Sequence, residues 1–143
     1  MTSAATALIA LILYALWAMF LVLCVGAVRV GQVVSGKATP LSFPAGGQPG
    51  PEPYGRLSRA HMSTVENLPI FATVVLTGWA ANAISPAFNL LAVIVVSARA
   101  VQSLIHIASG SVHAVNLRFA AFVVQLLCQF WMAWLILQTL GLF

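Results

Sequence analysis

Four long apolar stretches, separated by clusters of polar and turn-forming residues, organise the chain. The first, residues 4–28, is rich in Leu and Ala, carries no charge and ends at Arg29. At about 20 residues per crossing, it predicts a membrane-spanning helix. It reads as a retained helix rather than a cleaved signal, because no basic residue precedes it and its apolar run exceeds an h-region of about 7–15 residues. The pattern then breaks. Residues 31–55 contain Pro40, Pro44, Pro49, Pro51 and Pro53 interspersed with glycines. Helix cannot persist through that density of proline, so a surface loop is expected, with helix one continuing into it for a turn or two. A second helix, residues 56–81, begins amphipathic and becomes apolar, and Pro69 inside it removes one backbone bond and predicts a kink. Residues 82–86 form a tight turn with Pro86 at the start of helix three, which runs to 108. Gly110 marks the next helix stop, and the fourth span covers residues 117–140. Short turns make helices two, three and four antiparallel neighbours. The expected fold is therefore all-α: an integral membrane four-helix bundle in one domain, without internal repeats.

Composition supports lipid as the solvent. Hydrophobic residues make up 62% of the chain and charged residues 6%, against roughly 25% charged in soluble domains. The net charge of +4 comes from only six basic residues. With no basic run and no interleaved stacking aromatics, nucleic acid is not an expected partner. Arg29, Lys37, Arg56 and Arg59 gather in and around the first loop, so the positive-inside rule places that loop in the cytoplasm and both termini outside. The Ala-rich composition suggests a bacterial inner membrane. Cys24 and Cys128 fall within apolar stretches and read as packing residues. Three histidines on separate segments, with no Cys or acid at ligand spacing, do not make a metal site.

The few charges within the spans carry the chemistry, because an intramembrane charge is costly and generally paired or functional. At helical spacing Arg56, Arg59, Ser63 and Glu66 fall within about 80° of arc, while His61 points elsewhere. Arg99, Gln102, Ser103 and His106 share a face of helix three, with Arg99 roughly 20 Å beyond Pro86. Arg118 opens helix four. Two readings stand. Glu66 can pair with Arg59 or Arg99 simply to hold a bundle or an oligomer in register. Alternatively, six bases against two acids, with Glu52 in the loop, leave an excess of cation that suits an anionic ligand with an apolar companion. His61 reads as a surface or interface residue and His113 as an exposed turn residue. His106 reads equally as a core histidine or a proton donor.

The run Arg56-Leu57-Ser58-Arg59-Ala60-His61, followed by Glu66, Pro69 and Phe71, resembles the helix-two signature of the MAPEG superfamily, the membrane proteins of eicosanoid and glutathione metabolism. The likeness extends over the whole chain: its length, four spans, long first loop, helix-three arginine and arginine at the start of helix four. The resemblance implies a homotrimer with glutathione as cosubstrate, bound between subunits toward the cytoplasmic side. Arg59 and Glu66 match the family's glutathione-contacting pair, and Arg29 and Arg56 resemble further basic positions around it. Arg99 resembles the helix-three arginine, and Gln102 stands where a residue can line the pocket. Arg118 resembles the arginine that stabilises the thiolate, since a nearby cation lowers a thiol's pKa. Three positions depart from the pattern: Ser63 replaces an asparagine, His106 a tyrosine, and Phe119 a serine found in some members. The implied activity is a glutathione-dependent transferase or peroxidase acting on lipophilic substrates from the bilayer, with Arg118 and His106 as its catalytic groups. The alternative is a non-catalytic membrane scaffold, or a binder of an anionic lipid or another thiol, that keeps the cleft without the catalyst. A transporter is disfavoured by the lack of an inverted repeat.

Overall fold

The computed structural model describes residues 5–43 and 53–142. Helix α1, Ala5–Val34, turns a stripe of Ala7, Ala10, Tyr14, Ala18 and Leu21 inward. That 3/4 spacing is one helical face, and its alanines let neighbouring backbones approach closely. The remaining faces present Ile9, Ile12, Leu16 and Leu23 outward, which lipid accepts. As expected, α1 runs past the first apolar stretch. It ends where Gly36 adopts φ +69°, with Gly36 N bonded to Val33 O and Lys37 N to Gln32 O. These two bonds satisfy the last carbonyls, and the left-handed residue between them favours glycine.

A short 3-10 turn, Pro40–Ser42, follows, and residues 44–52 of the expected loop lie outside the described residues. Helix α2, Tyr54–Ala80, continues through Pro69 and buries Leu57, Ala60, Thr64, Asn67, Phe71, Val75 and Gly78 along one seam. It stops in the same way as α1, with Asn82 at φ +55° as the left-handed residue and bonds from Asn82 N to Trp79 O and Ala83 N to Gly78 O. Helix α3, Pro86–Ala108, starts with Ser85 Oγ accepting from Phe88 N and Pro86 in the first turn, the arrangement that stabilises a helix N-terminus. Helix α4, Val112–Thr139, begins five residues earlier than its apolar run suggested, because Ser111 Oγ caps Ala114 N at 3.3 Å. His113 is exposed, as expected, but in the first turn of α4 rather than in a loop.

Helices α1, α3 and α4 are each long and apolar enough to cross a membrane. Helix α2 has the length, about 40 Å at 1.5 Å per residue, but Arg56, Arg59, His61 and Glu66 leave it less apolar. The most extensive packing is between α3 and α4, while α2 lies against α1, α3 and, less closely, α4. Asn89 Oδ1 on α3 accepts from Ala7 N of α1 at 3.0 Å, which ties the starts of these helices together and sets them parallel. One half of the core is apolar, built from Phe71, Val75, Phe88, Ala92, Val95, Met132 and Ile136. Here Gly78 admits the Phe88 ring, since a Cβ at Gly78 would stand 2.5 Å from Phe88 Cζ. The other half is polar.

Candidate functional site

The polar half begins at Tyr14, whose ring lies 5.3 Å from Phe71 and whose hydroxyl donates to Thr64 O at 3.3 Å. Beside it, Arg99 is almost wholly enclosed, at 1% exposure. Its Nη1 donates to Ser63 O at 3.3 Å and to Ser63 Oγ at 3.1 Å, and its guanidinium carbon stands 5.8 Å from the Tyr14 ring centre. Nε and Nη2 of the same group are buried without a hydrogen-bond partner among the described residues. Ser103 Oγ donates back to Arg99 O at 2.9 Å, and the hydroxyls of Ser103 and Thr64 are 3.3 Å apart. The arginine is thus framed by three helices: α3 carries it, α2 accepts its hydrogen bonds and α1 supplies an aromatic face.

One turn away, three amides cross the bundle. Asn67 Nδ2 donates to Gln125 Oε1 at 3.4 Å, and Gln125 Nε2 donates to Gln102 Oε1 and to Ala121 O, both at 2.9 Å. Burying an amide without partners is costly, and this chain of amides satisfies much of that demand while linking α2, α4 and α3. Gln102 is therefore held inside the bundle by Gln125. Sequence reasoning followed charges and missed Asn67 and Gln125. Polar side chains recurring inside apolar spans were the available signal, because such residues face the bundle interior and bond across helices.

The remaining sequence-derived candidates lie nearer the surface. On α2, Arg59 and Glu66 are exposed, while Arg56 and Ser63 are half-buried. Half-buried His106 on α3 stands within electrostatic reach of Arg118 of α4, Arg59 of α2 and Arg99 of its own helix. Arg99 in turn feels Glu66. The fold thus brings Arg59, Arg99, Arg118 and His106 into one region, with Glu66 at its edge. The imidazole Nδ1 of His106 is buried without a partner among the described residues. Arg29 is directed elsewhere. It donates through Nη2 to Pro40 O at 3.2 Å and stacks 5.3 Å from the Phe43 ring centre.

Several cations with one carboxylate nearby can hold an anionic ligand that also bears a positive group, and the apolar helix faces alongside can admit a lipophilic one. Comparison with curated proteins and with solved structures gave no match. The family model described as MAPEG family matches residues 7–138, which spans all four helices and every candidate residue above. This chain, an integral membrane protein, belongs to the MAPEG family.

Proposed function

We propose that this protein is a glutathione-dependent transferase or peroxidase that acts on lipophilic electrophiles within the membrane. The observation that carries the proposal is the gathering of Arg59, Arg99 and Arg118 around His106, with Glu66 beside them. Glutathione has two carboxylates, one ammonium group and one thiol, and the side chains present suit all of them. Arg56 and Arg59 offer forked donors to carboxylates, Glu66 offers an acceptor to the ammonium, and Arg118 offers a cation to the sulfur. When bound, glutathione supplies the nucleophilic thiol. Arg118 favours its thiolate form, since a cation beside a thiol raises the charged fraction, and His106 presents a ring nitrogen to the same region. Arg99 stands one layer behind, holding Ser63 in place.

The outward stripe of α2 supports a multi-subunit site. In a lone protomer the exposed Glu66, about 18 Å along α2 from Tyr54, would face hydrocarbon, where charge is costly. A homotrimer in which α2 spans the bilayer against neighbouring copies removes that cost and places glutathione between subunits. The basic residues around the first loop favour a cytoplasmic position for that end.

A second reading, a cleft that binds a thiol or an anionic lipid without catalysis, draws on His106 standing where the family has a tyrosine. Calorimetry of glutathione binding to the detergent-purified protein, with the ultraviolet absorbance of bound thiolate, separates the two. Binding with a thiolate signal at neutral pH supports the enzyme. Binding without thiolate supports the second reading, and no binding overturns both as far as glutathione is concerned.

A further inference from the structure

A tight turn at Pro40–Ser42 follows α1. It is fixed by short-range bonds: Ser42 N to Thr39 O at 2.9 Å, Thr39 N to Ser42 Oγ at 3.1 Å, and the two hydroxyls 2.9 Å apart. Its two large side chains face opposite ways. Phe43 is buried at 7% exposure and packs edge-on against Tyr54, ring centres 4.7 Å apart at 67°. Leu41, two residues earlier, is 95% exposed.

A single exposed leucine is ordinary on a protein in water. The depth of this one is what matters. Arg29 follows Ala5 by about 36 Å of helix, and the hydrocarbon core is about 30 Å thick. The uncharged part of α1 ends at Val28, which sets Arg29 at the headgroup boundary. Because Arg29 bonds Pro40 O and stacks on Phe43, the turn is drawn to that same depth. Lys37 and Arg29 are both exposed there, as are Val30 and Val34 of the last turns of α1.

We propose that residues 36–43 form an interfacial foot: Leu41 inserts at the boundary between acyl chains and headgroups, while Arg29 and Lys37 face the phosphates of anionic lipids. Apolar residues entering that boundary beside cations that meet anionic headgroups are how surface segments hold to a bilayer. The foot sets the depth of Phe43, and through the Phe43–Tyr54 contact that of the first two turns of α2, which carry Arg56 and Arg59. The inference rests on the chain being a membrane protein and not on glutathione chemistry.

The test uses the full-length protein with Cys24→Ala and Cys128→Ala, spin-labelled at Leu41→Cys or at Lys37→Cys. Each is reconstituted in vesicles of phosphatidylcholine, alone or mixed with phosphatidylglycerol. Power saturation with oxygen and with a water-soluble nickel chelate reports immersion. The expected result is a severalfold higher oxygen-to-nickel ratio at position 41 than at position 37, rising further in the anionic mixture. Equal nickel access at both positions would place the turn in water and overturn the foot. Low access to both reagents at position 41 would show a neighbouring copy covering it, which also overturns the proposal. An immersion unchanged by phosphatidylglycerol would remove the role given to anionic lipid.

Discussion

Arg99 of α3 reaches across to α2 and grips Ser63 twice, by its carbonyl and by its hydroxyl. Ser63 lies one turn from Arg59 on one side and from Glu66 on the other, so the buried arginine sets the stretch of α2 on which the surface charges stand. A hydrogen bond to a charged group contributes about 1.5–3 kcal/mol. Ser63→Ala is therefore expected to lower stability by about that amount, read from unfolding in mixed detergent micelles. Ser63→Thr keeps the hydroxyl and should lose far less. Equal stability of wild type and Ser63→Ala would show that the backbone carbonyl alone holds the guanidinium.

The amide chain predicts a non-additive pair. Gln125→Leu removes both the acceptor used by Asn67 and the donor used by Gln102. Interhelical polar contacts in membranes are worth about 0.6–2 kcal/mol, and a cost in that range is expected. Adding Gln102→Leu should recover part of it, because replacing both partners leaves fewer stranded polar groups than replacing one. Strictly additive losses in the double-mutant cycle would mean that the two glutamines act independently.

At the proposed site, binding and chemistry are expected to separate. Arg59→Ala and Glu66→Ala should each weaken glutathione binding on the order of tenfold or more, as for truncation of a charged contact, while the oligomer remains measurable by light scattering. Arg118→Ala should lower turnover by about a hundredfold, the scale for losing one electrostatic stabiliser, with a much smaller change in affinity. An oligomer that falls apart, with affinity per folded protein unchanged, would assign Arg59 and Glu66 to assembly instead. Unchanged turnover would take Arg118 out of the mechanism.

The apolar half of the core makes a steric prediction. Gly78→Ala places a methyl group against the Phe88 ring, and overpacking of this kind costs about 1–3 kcal/mol. Phe88→Leu in the same chain should relieve most of that cost. A stable Gly78→Ala protein with an unshifted unfolding midpoint would show that the ring moves aside freely.

Much of this architecture was legible in the sequence where local chemistry decides it. The turn around residues 82–86 and the extent of α3 followed from Pro86 and the change of pattern at 108. Helix α4 starts before Arg118, where the apolar run suggests an opening, because the cap is Ser111. In the site, helical periodicity was enough to set Arg59 and Glu66 on one face and Arg99 and His106 on another. It could not show that Arg99 and Gln102 would be enclosed, since that depends on which helices surround α3. The amide chain links residues 58 and 23 positions apart, and uncharged side chains give no charge pattern to follow. The diversion of Arg29 to the loop depends on where the turn carries Phe43, which no local motif specifies.

Helix α2 has a further bearing on how the chain reaches its folded state in the bilayer. With Arg56, Arg59, His61 and Glu66 in its first half, it gains less from lipid than the other three helices, and a carboxylate carried into hydrocarbon, as Glu66 would be, resists insertion. Residues 81–85 connect it directly to α3, whose own buried arginine finds its acceptors on α2 at Ser63. Each helix holds what the other lacks, so the physically favourable route is entry as a pair, with the Arg99–Ser63 contact made before either meets hydrocarbon alone. The strongly apolar α1, synthesised first, would then offer Tyr14 and its row of alanines as the surface on which the hairpin docks. On this view the polar interior also bears on the order of biogenesis: Arg99→Ala, which removes the contact, would lower the yield of inserted protein, whereas Ser63→Ala, which keeps the backbone acceptor, would still insert.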